Sequence, residues 1–184
     1  MASTIGRRGL LTGVGALLAF AFLGAMALSG QIRDSGQFIR FVPAGVLRQA
    51  PAQVDRVELI TGAARWTFTR AGGPWRLESR VAPVPRSLAT HLDDSIKFLH
   101  VSAPIRVMER TEWAEQGLRE FGLDPPAYSV ALFQSGRRLL AADFGSPNPQ
   151  KVLQYMRLEG GDEVYVMSRF IGQEWEQALA EARR

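Results

Sequence analysis

Phe121-Gly122-Leu123-Asp124-Pro125-Pro126-Ala127-Tyr128-Ser129-Val130-Ala131-Leu132 joins two parts of this chain that read alike. Gly122 suits the left-handed residue that ends a helix, and the Pro125-Pro126 pair cannot extend one. From Tyr128 onward aromatic, β-branched and apolar residues set in, the pattern of a strand. The run therefore predicts helix, turn and strand in that order, at the boundary between two halves of one domain.

Toward the C-terminus, Tyr128–Gln134 and Arg138–Phe144 flank Ser135-Gly136-Arg137, a hairpin signal, and Gly145–Gln150 reads as a loop stiffened by two prolines. Val152–Leu158 and Glu163–Met167 flank Glu159-Gly160-Gly161-Asp162 and predict a second hairpin. Ser168 is placed to cap a last helix over Arg169–Ala182, with Phe170, Ile171, Trp175, Ala178 and Leu179 on its inner face. Toward the N-terminus the plan recurs. Strands are expected from Val54, over Arg65–Arg70 and over Trp75–Glu78, closed by a proline-punctuated link at 81–85. Leu88, Leu92, Ile96 and Leu99 share one face of a helix over Ser87–His100, with Ser87 as its cap. Ile105–Met108 reads as a short strand, and Thr111 caps a second helix reaching Glu120. The expected fold is α+β: an N-terminal transmembrane helix, then a duplicated domain over 54–184 whose halves, about 54–120 and 127–184, each close a run of antiparallel strands with a helix. Two sheets, or one continuous sheet with helices on one face, satisfy this order.

Residues 9–32 carry no charge and are almost wholly apolar. About 20 such residues span a hydrocarbon core of about 30 Å, so a membrane segment is expected, with Leu10, Leu11, Leu17, Leu18, Phe20, Phe22 and Leu23 facing lipid. Arg7 and Arg8 precede it, which by the positive-inside rule leaves 1–8 cytoplasmic and the remainder periplasmic, at a bacterial inner membrane. A retained anchor is the preferred reading. A secretory signal cut near Ala27, after Ala25-Met26-Ala27, and a twin-arginine export signal are the alternatives. Residues 33–53 mix Gly, Pro, Gln and Arg and read as a tether.

Composition narrows the chemistry. At 184 residues, with 46% hydrophobic residues, one ordinary domain with a real core is expected. The net charge of +4 comes from interspersed charges, 20 of the 22 basic residues being arginine, without the clustered basic face that nucleic-acid binding needs. With no cysteine, disulfides, thiolate metal sites and cysteine nucleophiles drop out together. The two histidines, His91 and His100, lie nine apart in one helix, about 13 Å along its axis, too far to share a metal. Asp93-Asp94 point about 100° apart and read as a solvated helix face. Neither a G-x-S-x-G elbow nor a phosphate-binding G-x-x-x-x-G-K-[ST] loop occurs. Arg137 and Arg138 beside Ser135-Gly136 suit a hairpin turn first and an anion second. Pro147, Asn148 and Pro149 form a stiff loop able to meet a partner. The four tryptophans, Trp66, Trp75, Trp113 and Trp175, sit at apolar-face positions; Trp113, in the least regular helix, is the one read as a possible contact platform.

The Phe121–Pro126 run followed by an alternating strand resembles the signature of the family called domain of unknown function 4340, in which an aromatic-Gly-Leu-Asp-x-Pro run sits between two similar halves. Gly72-Gly73-Pro74-Trp75-Arg76-Leu77 resembles its Gly-x-Trp-x-Leu hairpin, and Gly145 and Val164-Tyr165-Val166 also fit. The resemblance covers about residues 54–180. It implies an extracytoplasmic accessory domain, in some members linked to ABC transporters of the gliding-motility type, and no catalytic residue. The expected function is accordingly a non-enzymatic, membrane-anchored accessory subunit with no cofactor, whose partners are the lipid bilayer and another protein of a membrane complex. A periplasmic module binding a glycan or small anion is the alternative.

Overall fold

The computed structural model describes residues 7–31, 42–80 and 82–184, the side chains of 7–12 and 27–31 excepted. Two units result, Met1–Phe41 and Val42–Arg184. In the first, α1 runs over Arg7–Gln31. The transmembrane helix expected at 9–32 is corrected here: among the described residues no helix is long and apolar enough to cross a membrane. The side chains of α1 are described over 13–26. Leu17, Leu18, Phe20, Phe22 and Leu23 are exposed on it, while Leu10 and Leu11 lie outside the described side chains.

The second unit begins at Val42, earlier than the Val54 read from the strand pattern. Residues 33–41 of the expected tether lie outside the described residues. Its remainder is part of the fold: Gly45 N–H donates to the His100 carbonyl and Leu47 N–H to that of Leu99, satisfying the last carbonyls of a helix.

One antiparallel sheet of eight strands organises this unit. The strands are β1 (Arg56–Thr61), β2 (Ala64–Thr69), β3 (Arg76–Leu77), β4 (Arg106–Met108), β5 (Tyr128–Gln134), β6 (Arg137–Pro147), β7 (Leu153–Leu158) and β8 (Val164–Ser168), in the order β3-β2-β1-β5-β6-β7-β8-β4. A meander runs outward from β1 on one side and from β5 on the other. β4 departs from that plan by crossing to the far edge to pair with β8.

Two helices, α2 (Arg86–Val101) and α4 (Arg169–Ala182), lie antiparallel on one face. Their direction is fixed by Ser87 meeting Glu181 at one end and Phe98 meeting Phe170 at the other. Alternation sends Val57, Leu59, Phe68, Val130, Leu132 and Phe144 beneath Leu92, Ile96, Leu99, Ile171 and Trp175, all buried. Each such side chain contributes about 1.5–3 kcal/mol by leaving water. Ser87 is not the expected cap. Pro85 holds the N-cap position of α2 without a side-chain hydrogen bond. Ser168 is in the N-cap position of α4 and likewise makes none.

The opposite face is covered only over β7, β8 and β4, by the segment 109–126. Its short helix α3 (Arg110–Trp113) starts from a Glu109–Glu112 capping box, not from Thr111. It ends at Trp113, turns follow, and Gly117 takes a φ of +77°, so the helix expected to reach Glu120 does not form. Trp113, Phe121, Leu123 and Val164 make a second core there, with the Phe121 and Tyr155 rings edge to face at 4.9 Å. The Phe121–Pro126 run is clamped to a bulge of β6. Ser146 N–H donates to the Phe121 carbonyl and Ala127 N–H to that of Phe144, both at 2.9 Å. Gly122, at φ +65°, and Gly145 allow the approach: a Cβ on Gly145 would stand 2.2 Å from the Phe121 carbonyl oxygen.

Gly145→Ala therefore forces apart two backbones that cannot swing aside and should cost about 1–3 kcal/mol or more. Gly73→Ala, with nothing within 4 Å of the added carbon, should stay within about 0.5 kcal/mol. Urea unfolding of both variants decides this; equal midpoints would refute the clamp.

Candidate interaction surfaces

The side chains singled out in the sequence are not brought together. Arg137 and Arg138 open β6, and Pro147 ends it, ten residues on from Arg137 or about 33 Å at 3.3 Å per residue. Arg138 pairs with Glu159 at 2.7 Å. Asn148 turns inward on its own loop: its Oδ1 accepts from the N–H groups of Val152 and Leu153, and its Nδ2 donates to Gln150. It is a staple, while Pro147 and Pro149 stay exposed. Trp113 is 8% exposed and donates Nε1–H to the Asp162 carbonyl at 3.0 Å, which makes it core and not platform. Trp75 and Trp175 are buried as well, and Trp66 is half-buried with the Arg183 guanidinium 5.9 Å from its ring.

Over β2, β1, β5 and β6 the face opposite the helices is open. Ser129, Ala131 and Ala141 form the floor of a trough of about 470 Å³, with Glu58, Arg65, Arg138, Asp143 and Glu159 around it. Small residues from adjacent strands, Ala131 opposite Ala141, set the floor below the long charged side chains at its rim. The charges are already ordered. Glu58 lies between Arg56 at 3.4 Å and Arg65 at 3.5 Å, Ser129 donates to Asp143, and the Arg56 guanidinium sits 3.8 Å over the Phe133 ring. Such a surface offers shape and paired charge for recognising another molecule, with nothing poised for bond-making. Sequence reading did not assemble it. The only signal was a polar or small residue at Glu58, Ser129, Ala131, Ala141 and Asp143, interrupted on the same face by Ile60 and Phe133.

Between the helices, His91 Nδ1 is 2.7 Å from Glu174, His91 Nε2 is 3.8 Å from Glu181, and Ser87 donates to Glu181 at 2.7 Å. The hydroxyl rests on the carboxylate and not on the imidazole, so this is no activated nucleophile. The two carboxylates address opposite ring nitrogens and do not converge on one point. Among the described residues no group of three or more His, Cys, Asp or Glu is placed to hold a metal ion. His100 donates Nδ1–H to the Leu47 carbonyl, and Asp93 stays exposed on the solvated face expected for it while accepting from Arg70 and from Trp75 Nε1.

A buried polar hub fixes the start of α4. Gln154, 2% exposed, donates to the Gly145 carbonyl and accepts from Arg169, which also pairs with Glu176, while Tyr128 donates to the Gly172 carbonyl. Burial, then the nearby Glu176, raises the Tyr128 hydroxyl well above the ordinary phenol value. Tyr165 is pushed up to about 12, by burial and then by its hydrogen bond to Glu163.

No protein-family model matches this chain, and neither a curated protein nor a solved structure is significantly similar to it. The resemblance to the family thus rests on the motif residues of Gly72–Leu77, Phe121–Pro126, Gly145 and Val164–Val166 alone.

Two measurements check this geometry. Trp113→Ala should lose about 3 kcal/mol or more of unfolding free energy. Arg138→Ala, whose ion pair is 54% and 56% exposed, should lose less than about 0.5. A small loss at Trp113 would reinstate the platform. Both raised tyrosines favour the neutral phenol when folded, so their stabilisation is complete below about pH 10 and drains away as pH rises toward about 12. The urea midpoint should fall across that window, and less steeply in Tyr165→Phe; identical slopes would contradict the assignment.

Proposed function

We propose that this chain is a non-enzymatic accessory subunit whose 42–184 unit binds another protein of a membrane complex on the periplasmic side of a bacterial inner membrane. An ABC-type transporter is the family-based choice of complex. The observation that carries the reading is the open trough. Four strands of a packed sheet keep one face bare, floored by Ser129, Ala131 and Ala141 and edged by paired charges that can register a partner. Lipid is the second partner, supported by the exposed Leu17, Leu18, Phe20, Phe22 and Leu23 of α1.

A photo-crosslinking residue at Ala141, introduced in the full chain in cells, should trap one discrete protein. The same residue at Gln177, on the exposed side of α4, should not. Identical adducts at both positions, or none at Ala141, would remove the trough as a docking face. The glycan or small-anion reading keeps one observation in its favour: Trp66, Arg65 and Arg80 line a pocket of about 460 Å³. Three of the four tryptophans being buried weighs against it.

A further inference from the structure

Next to that pocket, and sharing Leu77, Arg80 and Ala182 with it, lies a separate cavity of about 430 Å³. We infer that this cavity binds a small molecule with an apolar chain ending in a carboxylate. Its walls are Phe68 and Leu77 from the sheet, Pro83 and Val84 from the link before α2, Leu88 from α2 and Ala182 from α4. Phe68 and Leu88 are core residues, 0% and 4% exposed, and form the apolar floor of the cavity.

An apolar opening normally closes by collapse of its rim. Here the rim is held. Val84 N–H donates to the Trp75 carbonyl, Pro83 bridges Arg76, and the ring of Pro83 and that of Pro85 restrict the chain between them. Ligand pockets fall at about 300–1,000 Å³ with apolar walls and few polar groups, and this one fits that description.

Charge then selects the head group. Arg80 and Arg184 line the cavity, and neither guanidinium has a partner among the described residues. Among the described residues the one acidic side chain lining it, Glu181, is held by the Ser87 hydroxyl and faces His91. The uncommitted charge is positive, and a guanidinium takes a carboxylate through two parallel hydrogen bonds. The inference is independent of the protein-binding proposal, because the trough is on the other face of the sheet.

Calorimetric titration of the full chain with hexanoate, octanoate and decanoate, each below its micellar concentration, tests it. One saturable site should appear, tightening about fourfold for each added methylene until the cavity is full. Decanoate should bind at least about tenfold tighter than decanol, and Arg80→Gln with Arg184→Gln should erase that preference while leaving decanol binding in place. Ala182→Trp, which fills the cavity, should abolish both. Circular dichroism melting of each variant establishes that it is folded. Equal binding of decanoate and decanol by the unaltered chain, no saturable binding, or binding that survives Ala182→Trp would overturn the inference; the last outcome assigns the uptake to another apolar surface such as α1.

Discussion

The approach of the Phe121–Leu123 backbone to Gly145–Ser146 is the contact on which the rest of the second unit depends. Two chains come closer than a methyl group allows, because Gly122 and Gly145 have no side chain there. That contact bends β6, seats Phe121 and Leu123 in the second core, and points the Gly145 carbonyl at Gln154. Gln154 in turn orients Arg169 and the first turn of α4, which must lie close because a Cβ on Gly172 would stand 1.7 Å from the Gln154 oxygen. One steric exception on the side of the sheet away from the helices thereby determines how the helix on the other side docks.

The second half of the domain was legible in the sequence because its turns carry their own chemistry. Ser135-Gly136 adopts positive φ at both positions, as does Gly160, and the strands between them lie within a residue or two of where alternation set them, β6 running on through Pro147. The first half was less legible. β3 shrinks to two residues between Pro74 and the Pro83 bridge, and the helix read over Thr111–Glu120 gives way to turns at Gly117. Periodicity reports which residues want burial. It does not report that a left-handed glycine and a second hydrophobic cluster will draw the chain out of a helix. The reading of 9–32 as a span came from composition and length alone, and the described residues hold no helix that meets both conditions.

The candidate surfaces were harder to foresee, for a reason of register. The trough sets Glu58 across from Ala131 and Ala131 across from Ala141, so its floor is made where the two halves meet. The cluster of Ser87, His91, Glu174 and Glu181 joins residues more than eighty positions apart. No local spacing encodes such neighbours. Trp113 shows the converse: its irregular surroundings suggested exposure, yet the covering segment is irregular because it wraps an indole whose N–H is satisfied by the Asp162 carbonyl.

The crossing of β4 to the far edge has a consequence in time. Arg106 and Met108 lie in the first half, but their only ladder is with Val164 and Val166 of β8, the last strand. A chain made from its N-terminus holds β4 without this partner until β8 has been synthesised, and closing a loop of that length costs entropy before any contact repays it. Neither half can therefore complete its own edge early, and the sheet is finished by its final strand.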